Sequence, residues 1–163
     1  QLDALYEQTE NPCWESRLLK DWKALAYATE GGQQKRALRI RKNGLCILTT
    51  REPQATEKER QIFALFLAEE MSEDGVIAAG SRYRLILSPD EARRMLFWNY
   101  YGDIGKTAKR ATWGSGLYRY FDDETATRIL EDVVRLKRKT PEAQQAKEFY
   151  EFFIKYHRLR PGK

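Results

Sequence analysis

The chain has 163 residues, a net charge of +5, 42% hydrophobic and 33% charged side chains. Those totals describe one globular domain with a highly charged surface, long enough to bury roughly two-thirds of its unfolded area. No apolar run reaches the ~20 residues of a membrane span, no signal peptide is visible, and one histidine with two cysteines argues against a Cys/His zinc site.

In chain order, residues 1–10 are polar. Asn11-Pro12 then supplies an N-cap and a first-turn proline. Trp14, Leu18, Trp22, Leu25 and Ala26 follow at helical spacing, so a helix is expected over about 11–30, ending at Gly31-Gly32, with both tryptophans in the core. Asn43-Gly44 between the apolar runs 37–41 and 45–50 is a hairpin signal, because both residues tolerate positive φ. Cys46 falls inside that second run, and it and Cys13 read as buried free thiols in a reducing cytosol. The run 61–68 fits a buried strand, followed by a turn at 72–75 and a short strand near 76–78.

Arg82 to Leu87 alternates as a strand, with Tyr83, Leu85 and Leu87 on one face and Arg82, Arg84 and Ile86 on the other. Ser88, Pro89 and Glu91 form a capping box for a helix running to about Tyr100. Residues 102–112 read as a basic loop, Trp113-Gly114-Ser115-Gly116 as a tight turn, and 117–121 as a short strand. Asp122 or Asp123 caps a helix bearing Ala126, Ile129, Leu130, Val133 and Val134. A last helix over about 141–157 carries Phe149, Phe152 and Phe153. Strands and helices interleave without a βαβ rhythm, so the fold expected is α+β, a small curved mixed or mostly antiparallel sheet or barrel with flanking helices. One domain spans 1–163, with its core at about 36–136. Because the chain begins at Gln1, it reads as excised from a longer protein.

Function is sought in the aromatic residues. The only histidine, His157, lies in a basic tail, no nucleophile elbow exists, and Glu52, Asp90, Asp103 and Asp122 are scattered. No catalytic residue, metal or cofactor is therefore assigned. Unpaired bases present flat π faces that Trp and Tyr rings can sandwich. The expected base pocket comprises Trp98, Asn99, Tyr101, Trp113, Ser115, Tyr118 and Tyr120. The phosphates on either side would meet Arg82, Arg84, Lys106, Lys109, Arg110 and Arg119. Basic blocks at 35–60, 102–121 and 135–163 alternate with acidic stretches and suggest a positive face for a polyanion. The alternatives are a protein-interaction or oligomerisation domain docking through Phe149, Phe152 and Phe153, and a nuclease domain.

The run Gly44-Leu45-Cys46-Ile47-Leu48-Thr49-Thr50-Arg51, the long apolar strand, the strand-helix unit and the late Trp-Gly turn together resemble the PUA-like superfamily, in particular its EVE, ASCH and YTH branches. The resemblance covers about residues 36–136 and rests on organisation, so no family site residue is carried over. It implies a small curved-sheet barrel that reads a modified, flipped base in an aromatic cage. By analogy, that is the specificity module of a cytoplasmic modification-dependent restriction or defence protein, with DNA ahead of RNA as partner and an effector domain elsewhere.

Overall fold

A computed structural model of the chain describes residues 19–25, 27–30, 33–36, 40–72, 76–101 and 120–160. Eight strands are present there: β1 (Lys23–Leu25), β2 (Tyr27–Glu30), β3 (Gln33–Arg36), β4 (Leu45–Thr50), β5 (Gln61–Leu67), β6 (Glu70–Met71), β7 (Val76–Ala78) and β8 (Arg84–Ile86). Three helices follow them, α1 (Pro89–Arg93), α2 (Asp123–Lys137) and α3 (Ala143–Tyr156), and Glu57–Glu59 and Phe97–Asn99 are single 3-10 turns. The strands pair in the orders β4-β5-β8, β1-β7-β6 and β2-β3, each pair antiparallel. The class is α+β, but among the described residues the sheets do not close into a barrel.

β5 is central because its side chains are apolar on both faces and both faces are covered. Opposite Leu48 and Thr49 the register shifts by one residue, leaving Phe63 as the extra residue of a bulge. On one face Ile62, Leu65 and Leu67 pack with Leu85, Leu87, Met95 and the apolar sides of α2 and α3. On the other, Ala64 and Phe66 meet Trp22 and Ile77 in a smaller cluster.

α1 opens on the expected capping box: the Glu91 amide donates to Ser88 Oγ at 3.2 Å, and the Ser88 amide donates to Glu91 Oε2 at 2.8 Å. Asp122 caps α2 by accepting from the Thr125 amide at 2.8 Å. The buried stripes are Ala126, Ile129, Leu130 and Val133 on α2, and Ala146, Phe149 and Phe153 on α3.

The two helices also close the outer edge of β8, whose carbonyls would otherwise face an open sheet margin. Gln145 Nε2 donates to Arg84 O at 2.9 Å, and Lys137 Nζ donates to Ile86 O at 3.0 Å. Lys137 is buried, and its remaining protons go to Glu91 Oε2 at 2.8 Å and Glu142 Oε2 at 2.5 Å. One ammonium thus ties β8, the start of α1, the end of α2 and the start of α3 together, with every proton bonded.

Several expectations are corrected. The helix of residues 11–30 does not extend past 21: residues 19–21 are helical, Trp22 takes a left-handed φ of 49°, and residues 23–25 and 27–30 are strands. Trp22 is nonetheless core, as expected. The Asn43-Gly44 turn forms, with Asn43 at φ 56° and Gly44 N donating to Arg41 O at 2.9 Å. A Cβ at Gly44 would sit 2.9 Å from that same oxygen. Residues 40–41 are not strand, residues 37–39 of the expected first strand lie outside the described residues, and β4 pairs with β5.

The helix from Ser88 stops at Arg93, because the backbone beyond it is diverted to β5: Ile62 N donates to Met95 O at 2.9 Å, and Phe97 N donates to Arg60 O at 2.8 Å. Of the strand expected over 117–121, residues 120–121 are not strand and 117–119 lie outside the described residues. Phe149 and Phe153 are sealed in the chain's own core, so they cannot be a docking stripe. The strands at 61–67 and 76–78 and the helices after 122 and 142 are as expected.

Candidate functional site

The backbone bonds that end α1 also place an aromatic corner at the Gln61 end of β5. Phe97 points into the core, while Trp98 and Tyr101 are half-buried and Asn99 is exposed. Phe97 and Tyr101 stack with centroids 5.1 Å apart and planes 17° from parallel. Trp98 stands across both, at 74° to Phe97 and 75° to Tyr101. Tyr100 turns inward, its hydroxyl donating to Asp132 Oδ2 at 2.6 Å. Burial, then that carboxylate, raises its pKa.

The indole N–H of Trp98 donates to Glu57 Oε1 at 3.3 Å, 41 positions earlier in the chain. Glu57 is held in turn by Arg60, through Nε at 2.5 Å and Nη2 at 3.1 Å, and by Arg51 Nε at 3.4 Å. The hydrogen bond from Arg60 is the main cause holding the Glu57 carboxyl below its usual range, against the opposing effect of burial. Arg60 Nη1 also reaches Thr49 Oγ1 at 3.3 Å. The corner is therefore a fixed indole, an ionised carboxylate and two guanidinium groups, with the Arg51 side chain 44% exposed.

Of the expected pocket residues, the structure brings Trp98, Asn99 and Tyr101 together. Tyr120 is 40% exposed, just before the cap of α2. Trp113, Ser115, Tyr118, Lys106, Lys109, Arg110 and Arg119 lie outside the described residues. Arg82 and Arg84 do not flank Trp98. Arg84 pairs with Phe66 in the β5–β8 ladder, and Tyr83 O accepts from Leu67 N, so both arginines sit at the opposite end of β5. Six residue steps along a strand span about 20 Å, the length of about six phosphate steps in a stacked strand. There, Arg84 lies over the Trp22 ring at 5.2 Å, and Arg82 lies over Tyr83 at 5.5 Å and 3.5 Å from Glu148. The residues not anticipated from sequence are Glu57, Arg51 and Arg60. Thr56 and Glu59 carry a visible capping pattern, but nothing local couples that turn to Trp98.

Elsewhere the ionisable groups have structural duties. His157 Nε2–H donates to Asn43 O at 2.8 Å, fixing the end of α3 on the reverse turn. No group of three His, Cys, Asp or Glu side chains among the described residues is arranged to hold a metal ion. Cys46 is a free thiol whose pKa burial pushes up to about 12 from an ordinary 9.0. With Cys13 replaced by Ser, Cys46, which is partly buried, is expected to react with a thiol reagent at pH 8 markedly more slowly in the folded protein than in urea. Comparable rates in the two states would contradict that burial.

Comparison with protein-family models, curated proteins and solved structures found no match to this chain.

Proposed function

We propose that this chain is a nucleic-acid-binding module that lays an unpaired base against the ring surface at Trp98 and Tyr101. On this reading Arg51 meets the adjoining phosphate, and Asn99 offers its amide to the base edge. The observation that carries the proposal is the corner itself: an indole pinned by Glu57, half-open to solvent, whose neighbouring carboxylate is neutralised by two arginines. A ring already fixed loses little freedom when a base stacks on it, and a compensated carboxylate does not repel the phosphodiester. The chain's positive balance favours the same partner. A PUA-like core, a modified base as the preferred ligand, DNA ahead of RNA, and an effector elsewhere in a cytoplasmic defence protein belong to the same proposal.

Trp98→Ala is expected to weaken binding of a single-stranded oligonucleotide roughly tenfold, the loss of one stacked base, with Trp98→Phe intermediate. Fluorescence anisotropy with plain and modified strands would measure it, with circular dichroism confirming the fold. Equal affinity for parent and Trp98→Ala would remove the corner from the binding surface.

A further inference from the structure

A second set of rings lies at the other end of β5, where the arginines were found. Tyr83 contacts the buried Phe149 at 6.0 Å and stacks on Phe152 at 4.2 Å, with planes 16° apart. Phe152 stacks in turn on Tyr156 at 5.7 Å and 27°. The column begins in the core and ends at Tyr156, which is 46% exposed. His157 stands edge-on to Tyr156 at 5.0 Å, and its bond to Asn43 O fixes the last turn of α3. Leu159 N closes that turn on Ile154 O at 2.9 Å, with Arg158 in a left-handed conformation at φ 54°.

Charge on the segment that carries the outer ring is of one sign. No Asp or Glu occurs after Glu151, whereas Lys155, Arg158 and Arg160 are all exposed. The acids one to two turns back are paired, Glu148 with Arg82 and Glu151 with Lys147. An exposed aromatic ring, stacked from beneath and bordered on its own segment by cations, suits a π-faced polyanion better than an apolar partner.

We infer that Tyr156 is the outer plate of a second stacking platform, which takes an unpaired base of a single-stranded nucleic acid while Lys155 and Arg158 hold its phosphates. This inference rests on the nucleic-acid reading above and adds a contact about 20 Å away along β5. The probe is an oligo-dT strand of about 12 nucleotides, within the site sizes usual for such proteins.

Tyr156→Ala is expected to weaken binding roughly tenfold, and Tyr156→Phe, which keeps the ring, to bind like the parent. Lys155→Ala with Arg158→Ala is expected to flatten the slope of log affinity against log salt by about 1.4, two contacts at ~0.7 each. Because Tyr156 is exposed, circular dichroism should show all three variants folded. If Tyr156→Ala binds like the parent while Trp98→Ala still weakens binding, the platform is overturned and the corner stands. If the parent itself does not bind the strand, both fall.

Discussion

Phe149→Ala is expected to lower the unfolding free energy by about 4 kcal/mol, within the range measured for Phe-to-Ala changes in close-packed cores. The side chain has no solvent exposure. It sits where α3 meets α2 and the helix-covered face of the sheet, touching Tyr83. Removing the ring leaves a cavity among elements that cannot collapse, because Gln145 and Lys137 bind the helices to the margin of β8. Against a total stability of about 5–15 kcal/mol, that loss should move the urea midpoint far down with an unchanged slope. A shift under 1 kcal/mol would mean that α3 is not part of the core.

Lys137→Ala is expected to cost about 3 kcal/mol, because it strands two carboxylates and a strand carbonyl without their cation. The loss belongs at the low end of what such deletions cause, since the Glu142 side chain is 43% exposed and can recover water. Burial alone would push the lysine's pKa down. The hydrogen bonds and charges of Glu142 and Glu91 outweigh it and leave the value above the ordinary 10.5. The same balance holds Glu91 below its ordinary 4.5, where burial opposes and Lys137 and Ser88 prevail.

Stability from Glu91 is therefore present above pH 4.5 and lost as pH falls through its lowered folded value. Stability from Lys137 is present below pH 10.5 and lost as pH rises through its raised folded value. Urea titrations of parent and Lys137→Ala should differ most across the plateau between those limits and converge at both extremes. A constant difference from pH 3 to 11 would contradict the assignment.

What was legible in the sequence is what local chemistry decides. Ser88, Pro89 and Glu91 announce a helix start through their own hydrogen bonds, and Asp122 does the same for α2. The run from Gln61 to Leu67 is apolar on both faces and can only be a buried strand or a buried helix. What was hidden depends on distant partners. Leu25 and Ala26 continue the apolar spacing of Trp14, Leu18 and Trp22, yet Lys23–Leu25 pairs with Val76–Ala78, some fifty positions on. Leu45–Thr50 follows a true Asn-Gly turn, but its ladder partner lies after it, in β5.

The site divides in the same way. Trp98, Asn99 and Tyr101 are neighbours in sequence and remain so in space. Arg82 and Arg84 are also near them in sequence, but α1 and the diverted backbone after it carry the chain from one end of β5 to the other. The ring beside Arg82 is Tyr83, and the column that continues from it comes from α3: Phe152 and Tyr156 are four apart, one turn of a helix, and could have been seen as a surface pair. The stacking of Phe152 on Tyr83 could not, because it joins positions about seventy residues apart.

The claim that a single nucleic-acid strand is the ligand is tested most directly by the salt dependence of the parent's affinity for a single-stranded oligonucleotide. Three phosphate contacts predict a loss of roughly tenfold or more between about 50 and 200 mM salt, linear on logarithmic axes. Saturable binding with that slope is the expected result; no binding at the lowest salt, or an affinity indifferent to salt, would contradict it.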